Sequence, residues 1–575
     1  MYDVLIKNAQ IIDGTGADAY RADVALRKDR IAAIGQGLSG AKLSIDASGL
    51  TLTPGFFDVH SHADLTALMY PDMEAYLKQG VTTVIGGNCG HSMAPMGNEI
   101  YRSAIVDFPV TALAEPKYFD LVTLMLPREK AAKAWKELFG IDMDWNSLAE
   151  YRAKCNKNGL GCNIAPLIGY SAVRQAVMGA DCMREADAGE LDALASMVER
   201  CMKEGAFGLS TGLDPQYIPG LFATDEETVR MLEIVKKHGG IFTSHTFNTR
   251  MDGTGSRMDG YRTMLEQALA AGVKANVSHV HVLGMAASPE DGAKAAQDTL
   301  AYFEEMAGRG LDLSFDVIPS PYSTDFTIPY FAFFLRPFVK MSGSRAHLAE
   351  NFKVPDFRKM IHTVVEAGMF PVFDPKQPVN YYPLLMVLRH KNPEYAGKIM
   401  GAYAAEKGIN PLDLLMDMFS EDPDMEANVA MAGFAEANKI LCASPIAMPC
   451  SDSFGCGKNT NFTGDAEIPL YPNPMSISFI PRFLLCHGRK RFEDTIRQVS
   501  GYPAERFGVK ERGLIKEGFF ADLVLLDLDK LHSHDMDENP MQYPDGIPYV
   551  FVNGTCSVEK GAVQRIHSGK MLSKR

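Results

Sequence analysis

The sequence has no uninterrupted apolar stretch of about 18 residues, the length that crosses a bilayer, so no membrane-spanning helix is expected. Its start, Met1-Tyr2-Asp3-Val4-Leu5-Ile6-Lys7, lacks the charged segment and long apolar core of a secretory leader. Basic charge is not gathered anywhere. Lys and Arg number 57 against 71 Asp and Glu, a net charge of −14, and the run Arg489-Lys490-Arg491 is short. A duplex-binding surface needs a basic stripe, so nucleic acid is not an expected partner. Cysteine is sparse as well. Ten in 575 residues cannot frame a disulfide scaffold. They read as free thiols of a reducing, cytoplasmic compartment, one of which could ligate a metal. What remains is an ordinary globular composition, 46% hydrophobic and 22% charged. The chain is too long for one ordinary compact domain but suits a (β/α) barrel with extra elements.

Residues 1–54 read as short strands and turns. Asp3–Ile12 is strand-like and ends at Asp13-Gly14-Thr15-Gly16; Val24–Arg27 and Ile31–Ile34 flank a hairpin turn at Lys28-Asp29-Arg30. The far end has the same character, with apolar runs at Asp522–Asp527 and Tyr549-Val550-Phe551-Val552 before the turn signal Asn553-Gly554. One small β domain built from both ends is expected, with parts at 1–54 and 509–575. Between them, at 55–508, apolar runs recur near 56–62, 81–86, 163–169, 206–211, 240–245, 274–279, 311–316 and 446–452. Helical patterns separate most of them. From Asp187 to Met202 the apolar positions Leu191, Leu194, Val198 and Cys201 share a face, Asp187 and Glu190 fit a capping box, and Gly205 follows. Thr224 and Glu227 mark a second such start, closed by Gly239. Eight strands with helical crossovers fit a parallel (β/α)8 TIM-like barrel; an open doubly wound sheet is the alternative. Intervals 91–162 and 320–445 are too long for simple crossovers, and the second, rich in aromatics (Tyr322, Phe326, Tyr330, Phe331, Phe333, Phe334, Phe338), reads as an inserted lid.

The strongest local signal is Asp58-Val59-His60-Ser61-His62-Ala63-Asp64. Residues two apart on a strand share a face, so His60 and His62 would both project into a barrel, as half a metal site. The second strand runs into Gly86-Gly87-Asn88-Cys89-Gly90-His91. A cysteine there can present a thiolate to a metal, or can simply be a small buried residue. The fifth and sixth strand candidates end in His245 and in His279-Val280-His281. His279 and His281 share a face and compete for one role, and His279 lies nearer the strand's body. The eighth ends in Pro449-Cys450-Ser451-Asp452-Ser453, where Asp452 can bind metal, hold the proton of an attacking water, or cap a helix.

Together these residues resemble the amidohydrolase superfamily, and within it the N-acyl-D-amino-acid deacylase (D-aminoacylase) branch. The resemblance covers nearly the whole chain. It rests on Pro54-Gly-Phe-Phe-Asp-Val-His-Ser-His62, on Gly80-Val-Thr-Thr-Val84 with Gly87-Asn-Cys-Gly90, and on Glu204-Gly-Ala-Phe-Gly-Leu-Ser-Thr-Gly-Leu213. Gly518-Phe-Phe-Ala-Asp-Leu-Val-Leu-Leu-Asp527 matches the strand that closes the family's β-sandwich domain. The resemblance implies zinc held tightly by Cys89, His245 and His279, a second, weaker position near His60, His62 and Asp452, and Asp452 as proton shuttle. It implies hydrolysis of the amide bond of N-acyl amino acids, D-series, by metal-activated water. A cyclic amidase of the hydantoinase or dihydropyrimidinase kind is the rival enzyme, and an inactive barrel scaffold the rival from another class. A homo-oligomer remains open.

The chain departs from the branch where substrate would lie. Phe247 stands in place of an arginine, His281 of a lysine, Ile318-Pro319-Ser320 of Tyr-Pro-Tyr, and Ser453 of a glycine. Phe247, His281, Ile318 and Ser320 are the candidate substrate-binding residues. They predict a preference for amides with large apolar groups over doubly acidic ones.

Overall fold

A nine-stranded sheet gathers both ends of the chain. In this computed structural model its strands are β1 (Tyr2–Ile11), β2 (Tyr20–Arg27), β3 (Arg30–Gly35), β4 (Ala41–Asp46) and β5 (Thr51–Pro54) from the start, with β21 (Leu523–Leu526), β22 (Tyr549–Val552), β23 (Thr555–Glu559) and β24 (Ala562–Val563) from the end. The structure describes the chain apart from residues 102–124, 215–218, 248–253, 283–284, 287–288, 320–325, 328–337, 340, 367–384, 430–434, 462–466, 468–470, 488–490, 538–539 and 575. The sheet order is β24-β23-β22-β21-β5-β1-β2-β3, with β4 beside β1. The two ends join where β5 pairs antiparallel with β21. The pairing is one path, and nothing in it divides the sheet into the two layers of the expected sandwich.

The sequence explains this sheet locally. Val552 and Thr555 pair across Asn553 and Gly554, whose φ values of 49° and 75° are left-handed, as a two-residue type I′ hairpin requires. The Leu523-Val524-Leu525-Leu526 run is apolar on both faces because it borders two cores. Leu523 and Leu525 join the core of the terminal sheet with Ile6, Val24 and Phe551, while Val524 and Leu526 join the main core with Val550 and Val552. A strand buried on both faces reads as a continuous hydrophobic run.

The middle of the chain supplies parallel strands: β6 (Phe56–Asp58), β7 (Val81–Gly86), β10 (Asn163–Pro166), β11 (Ile168–Gly169), β12 (Gly208–Gly212), β13 (Ile241–His245), β14 (Lys274–Val277), β15 (Leu313–Val317) and β19 (Ala447–Pro449). They pair as two arcs, β10-β7-β6 and β11-β12-β13-β14-β15-β19. The closed ladder expected from eight strand candidates is therefore not formed. Only Leu167 separates β10 from β11, and a single bridge, Ser61 to Ser453, spans the gap between the ends of β6 and β19. Three short antiparallel pairs complete the strands: β8 (Glu99–Tyr101) with β9 (Met125–Pro127), β16 (Phe326–Thr327) with β20 (Tyr471–Pro472), and β17 (Leu385–Arg389) with β18 (Glu426–Val429).

The crossover helix Ala188–Lys203 has the capping box expected of it, formed by Asp187 and Glu190, and buries Leu194, Val198 and Cys201. Burial of such a leucine or valine side chain contributes about 1.5–3 kcal/mol. The next helix, Asp225–Lys237, is capped by Thr224, but Glu227 does not complete the expected box. Its buried carboxylate turns to the Tyr170 hydroxyl and the Arg174 guanidinium instead, because a charge taken out of water needs a charged partner more than a cap. In the interval 320–445 the described residues form the antiparallel pair β17–β18 and helices that include Arg345–Asn351 and Pro411–Glu421. Of the aromatics read as lining a lid, Tyr322, Tyr330, Phe331, Phe333 and Phe334 lie outside the described residues, and Phe338 is buried in the main core. Among the described residues no helix is long and apolar enough to cross a membrane.

Asp522 ties the terminal sheet to the parallel strands. Its carboxylate meets Arg512, accepts a hydrogen bond from Asn553 N at 2.7 Å, and lies 3.5 Å from Asn163 Nδ2 on β10. Arg512 and Asp522 side chains are 4% and 3% exposed. Arg512→Ala removes the cation and leaves the carboxylate buried, so it is expected to cost about 3–5 kcal/mol. A chemical denaturation midpoint unchanged from wild type would contradict this.

Candidate metal centre

Each chemically distinctive side chain singled out above sits at or just past the C-terminal end of a parallel strand, the face on which barrel strands carry their sites. His60 and His62 follow β6, Cys89 follows β7, His245 ends β13, His279 follows β14 and Asp452 follows β19. The two β6 histidines converge, but not as residues of a regular strand. The ladder stops at Asp58, where the chain crosses to the end of β19: Asp452 N donates to His60 O at 2.9 Å, and His62 N to Ser453 O at 2.8 Å. Asp58 braces this crossing. Its carboxylate accepts from Ser451 N, Ser451 Oγ and His60 N at 3.0, 2.5 and 3.2 Å, and burial pushes its pKa up to about 7.

The Gly87-Asn88-Cys89-Gly90 turn is pinned in a space only glycine fits. A Cβ at Gly87 would lie 2.4 Å from Leu167 O, and one at Gly90 would lie 2.9 Å from Gly212 N. Asp64 Oδ1 accepts from Gly87 N at 2.8 Å, and Ser210 Oγ from Gly90 N at 3.0 Å. Held between them, Cys89 adopts a left-handed φ of 53°. His279 and Asp452 are left-handed too, at 33° and 50°. Non-glycine residues in this region cost of order 1–3 kcal/mol and persist where the surroundings over-determine them, often at functional sites.

The Cys89 sulfur is the meeting point. It lies 3.2 Å from His60 Nε2, 3.6 Å from His245 Nδ1 and 3.8 Å from His279 Nε2. Asp452 Oδ1 lies 3.2 Å from the same His60 nitrogen and 3.1 Å from His62 Nε2. Ligand atoms of His60, Cys89, His279 and Asp452 all fall within 4.8 Å of one another. Burial opposes a thiolate at Cys89, but His60, His245 and His279 outweigh it and hold the thiol well below its ordinary range. Burial without such neighbours pushes Cys162 and Cys450 well above theirs. Burial likewise opposes ionisation of Asp452, and His60 and His62 overcome it, holding the carboxyl well below its usual range.

This donor set suits a metal ion. Zinc bonds of ~2.3 Å to sulfur and ~2.0–2.1 Å to nitrogen at tetrahedral angles put sulfur and nitrogen about 3.5 Å apart, close to the spacings around Cys89. Among the described residues the buried Nδ1 atom of His62 has no hydrogen-bond partner, and that of His60 faces Asp316 Oδ1 at 3.4 Å. One thiolate faced by three imidazoles, with a second anion beside them, is the environment that a cation would complete.

Sequence reasoning missed the carboxylates that hold these rings. Asp214 Oδ2 lies 3.1 Å from His245 Nε2, on the side away from Cys89. Asp316 Oδ1 accepts from His279 N at 2.6 Å and faces His60 Nδ1 at 3.4 Å, while Oδ2 accepts from Asn276 Nδ2 at 2.6 Å. Asp316 was readable as a charge inside the apolar run Leu313–Val317; Asp214 follows β12 in a loop with no periodic signal. Of the candidate substrate residues, Phe247 and Ile318 are buried, His281 is half-buried, and Ser320 lies outside the described residues. Burial and then the nearby Arg257 guanidinium push His281 well below its ordinary pKa, so it is neutral near pH 7. Arg257, itself buried, was not singled out in the sequence. Arg250 lies outside the described residues, and Arg262 is exposed and bonds Asp259.

The model of the amidohydrolase family matches residues 44–104, the stretch that carries His60, His62 and Cys89. The chain is 27% identical to a D-aminoacylase of Alcaligenes xylosoxydans xylosoxydans over 100% of its own length and 98% of the relative's. It is 25% identical to an N-acyl-D-aspartate deacylase of the same organism over 96% and 91%. Among solved structures it resembles a D-aminoacylase described as defining a novel subset of amidohydrolases, with a TM-score of 0.70, 24% identity and 100% of both chains covered. It also resembles an N-acyl-D-glutamate deacylase from Bordetella bronchiseptica complexed with zinc and a phosphonate inhibitor, with a TM-score of 0.67, 25% identity, and 100% and 99% covered. Residues 44–104 thus match the amidohydrolase family, and the chain as a whole has the fold of a D-aminoacylase. Its full-length likeness within that family is to the D-aminoacylases and N-acyl-D-amino-acid deacylases.

A carboxylate behind a metal-facing imidazole fixes its tautomer and orientation, and loss of such a partner typically costs about 10–100-fold in metal affinity. Asp214→Asn is expected to weaken metal binding on that scale while the fold persists. Calorimetric titration of zinc into both proteins checks this, and equal affinities would contradict it.

Proposed function

We propose that this protein is a zinc-dependent hydrolase of the amide bond of N-acyl amino acids, of the D-series. The observation that carries the reading is the single sulfur, Cys89 Sγ, approached by three imidazole nitrogens at 3.2–3.8 Å at the ends of parallel strands. Cys89, His245 and His279 would hold the tight ion. His60 and His62 with Asp452 would form the second, weaker position. Relatives that cleave linear N-acyl amino acids, matched along the full chain, favour this over cyclic-amide hydrolysis. In the same reading the two arcs are one (β/α)8 barrel over 55–508 with an insertion at about 320–445, and 1–54 with 509–575 form one β domain.

A zinc ion, when bound, supplies Lewis acidity towards the scissile carbonyl and makes water a stronger acid. The rest falls to the chain. Asp452 is ionised despite its burial, and its side chain is 20% exposed while those of His60 and His62 are 0% exposed. It therefore stands between the buried imidazoles and the opening, ionised to take the proton of the attacking water. Returned to the amide nitrogen, that proton makes the amine a competent leaving group. His60 and His62 hold the Asp452 oxygen from two sides, at 3.2 and 3.1 Å, which fixes where the proton is received. Asp214 holds the His245 ring from behind, and Asp316 holds the backbone N–H of His279 and faces the His60 ring.

Two variants separate the roles. Cys89→Ala is expected to lower zinc content and turnover together. Asp452→Asn is expected to keep most of the zinc and lose roughly 10²–10⁴-fold in rate, the scale of general acid–base catalysis. Full zinc and full turnover in the first, or near-normal turnover in the second, would sink the corresponding assignment.

The substrate wall supports apolar side chains or acyl groups. Phe247 and Ile318 are buried apolar residues and His281 is held neutral. Arg257, beside His281, is suited to the one carboxylate that every N-acyl amino acid carries. Among the described residues a second carboxylate against this wall meets no further counter-charge, which is costly, whereas apolar contact gains about 25 cal/mol per Å². N-acyl-D-phenylalanine and D-leucine should therefore show higher kcat/KM than the D-glutamate and D-aspartate derivatives. A preference for the acidic pair would overturn this specificity.

A further inference from the structure

A second group of metal-binding side chains stands in the segment between β21 and β22. It shares no residue with the centre described above. His532 Nε2 lies 2.8 Å from Asp537 Oδ2, and His534 Nδ1 lies 2.7 Å from the same oxygen. The two imidazoles are 4.5 Å apart, nearly perpendicular, and the three donor atoms fall within 4.8 Å of one another. The other nitrogen of His534, Nε2, lies 3.0 Å from Asp545 Oδ2.

A neutral imidazole keeps one ring nitrogen as a lone pair for a hydrogen-bond donor or a cation. A cation in the shared place would meet the Asp537 oxygen, one nitrogen of His532 and one of His534. Tetrahedral zinc bonds of ~2.0–2.1 Å set neighbouring donors about 3.3 Å apart, so these three groups, now at hydrogen-bonding distance, would spread by roughly half an ångström around the ion. Asp545 on the far nitrogen is the carboxylate that commonly orients a metal-ligating histidine. Two imidazoles and a carboxylate suit zinc, copper or nickel rather than calcium or magnesium, which prefer oxygen donors.

The segment is held in this shape from beneath. Both oxygens of Asp535, a side chain 1% exposed, meet Arg482, at 2.9 Å from Nε and 2.8 Å from Nη2. Ser533 Oγ donates to Asp535 Oδ1 at 2.6 Å, and His532 bridges to Asp545 through the backbone. Buried residues 533 and 535 thus alternate with the outward-facing histidines. His532 and Asp537 are 49% and 40% exposed, which leaves the cluster open to ions from solvent.

We propose that His532, His534 and Asp537 form a second metal site for a divalent transition cation such as zinc, with Asp545 orienting His534. The test is calorimetric titration of Zn²⁺ into the chelator-stripped full-length protein. Wild type is expected to take up one equivalent more than the H532A/H534A double variant, which should retain both its turnover and the uptake that depends on Cys89. Asp545→Asn should weaken that extra equivalent by about 10–100-fold. Cys89→Ala should lose the other equivalent and keep this one, so the two sites stand or fall separately. Should the double variant fold poorly by circular dichroism, Asp537→Asn, a single exposed change, replaces it. Equal zinc uptake by wild type and the folded variant overturns the site.

Discussion

A thiolate inside a protein is unstable unless positive charge or hydrogen bonds replace the water it has lost. That constraint organises the C-terminal ends of the parallel strands. Buried thiols elsewhere in this chain, at Cys162 and Cys450, are pushed well above their ordinary range. Cys89 goes the other way only because His60, His245 and His279 come within 3.8 Å of its sulfur. Those residues follow four different strands, so the sulfur sets the positions of the β6, β7, β13 and β14 ends relative to one another. The backbone yields to it, with left-handed φ at Cys89, His279 and Asp452. Strain of that kind survives where many contacts fix the residue, as Asp64, Ser210 and Leu167 do around the Cys89 turn.

Buried carboxylates form the next layer out, and they serve backbone and site at once. Where parallel strands end and splay, their N–H groups lose ladder partners, and a buried N–H needs another acceptor. Asp316 accepts from His279 N, Asp58 from Ser451 N and His60 N, and Asp64 from Gly87 N. Each is thereby anchored next to a metal-binding candidate. The same oxygen of Asp316 that satisfies His279 N faces the His60 ring. Closing the fold and orienting the imidazoles are one set of contacts.

The parts legible in the sequence were those with a periodic or compositional signature. Continuous apolar runs marked the parallel strands because both their faces are buried, and Asp187 with Glu190 marked a helix start through local hydrogen bonds. His60, Cys89, His245, His279 and Asp452 were readable because each closes such a run. The ladder's early stop at Asp58 was not readable, since it depends on Asp452 and Ser453, some 390 residues away. Glu227 looked like a cap from its spacing, but Tyr170 and Arg174, distant in sequence, claim its carboxylate. Asp214 and Arg257 were missed for the same reason. Each sits at a loop or helix start, and its role depends on a ring it meets only in the folded chain.

The departures from the deacylase pattern fall on one side of this architecture, and the reason is mechanical. Metal-side residues are locked by strand ends, glycine-tight turns and buried carboxylates, so a change at any one disturbs several others. Phe247, two residues past His245, and His281, two past His279, lie on the loops that leave those strands. Loops tolerate replacement because fewer contacts depend on them, and they carry specificity on a fixed scaffold. The neutral His281 beside a buried Arg257 shows how such a change spreads. Once Arg257 stands there, a second charge at position 281 would be repelled as well as desolvated, and His279 and His245 add to that repulsion. The hydrogen bonds that hold Cys89 and His245 and the backbone of His279 come from other residues, while the His281 ring stacks on that of His279 at 6.3 Å, so position 281 is the place where the wall and the metal-binding candidates meet.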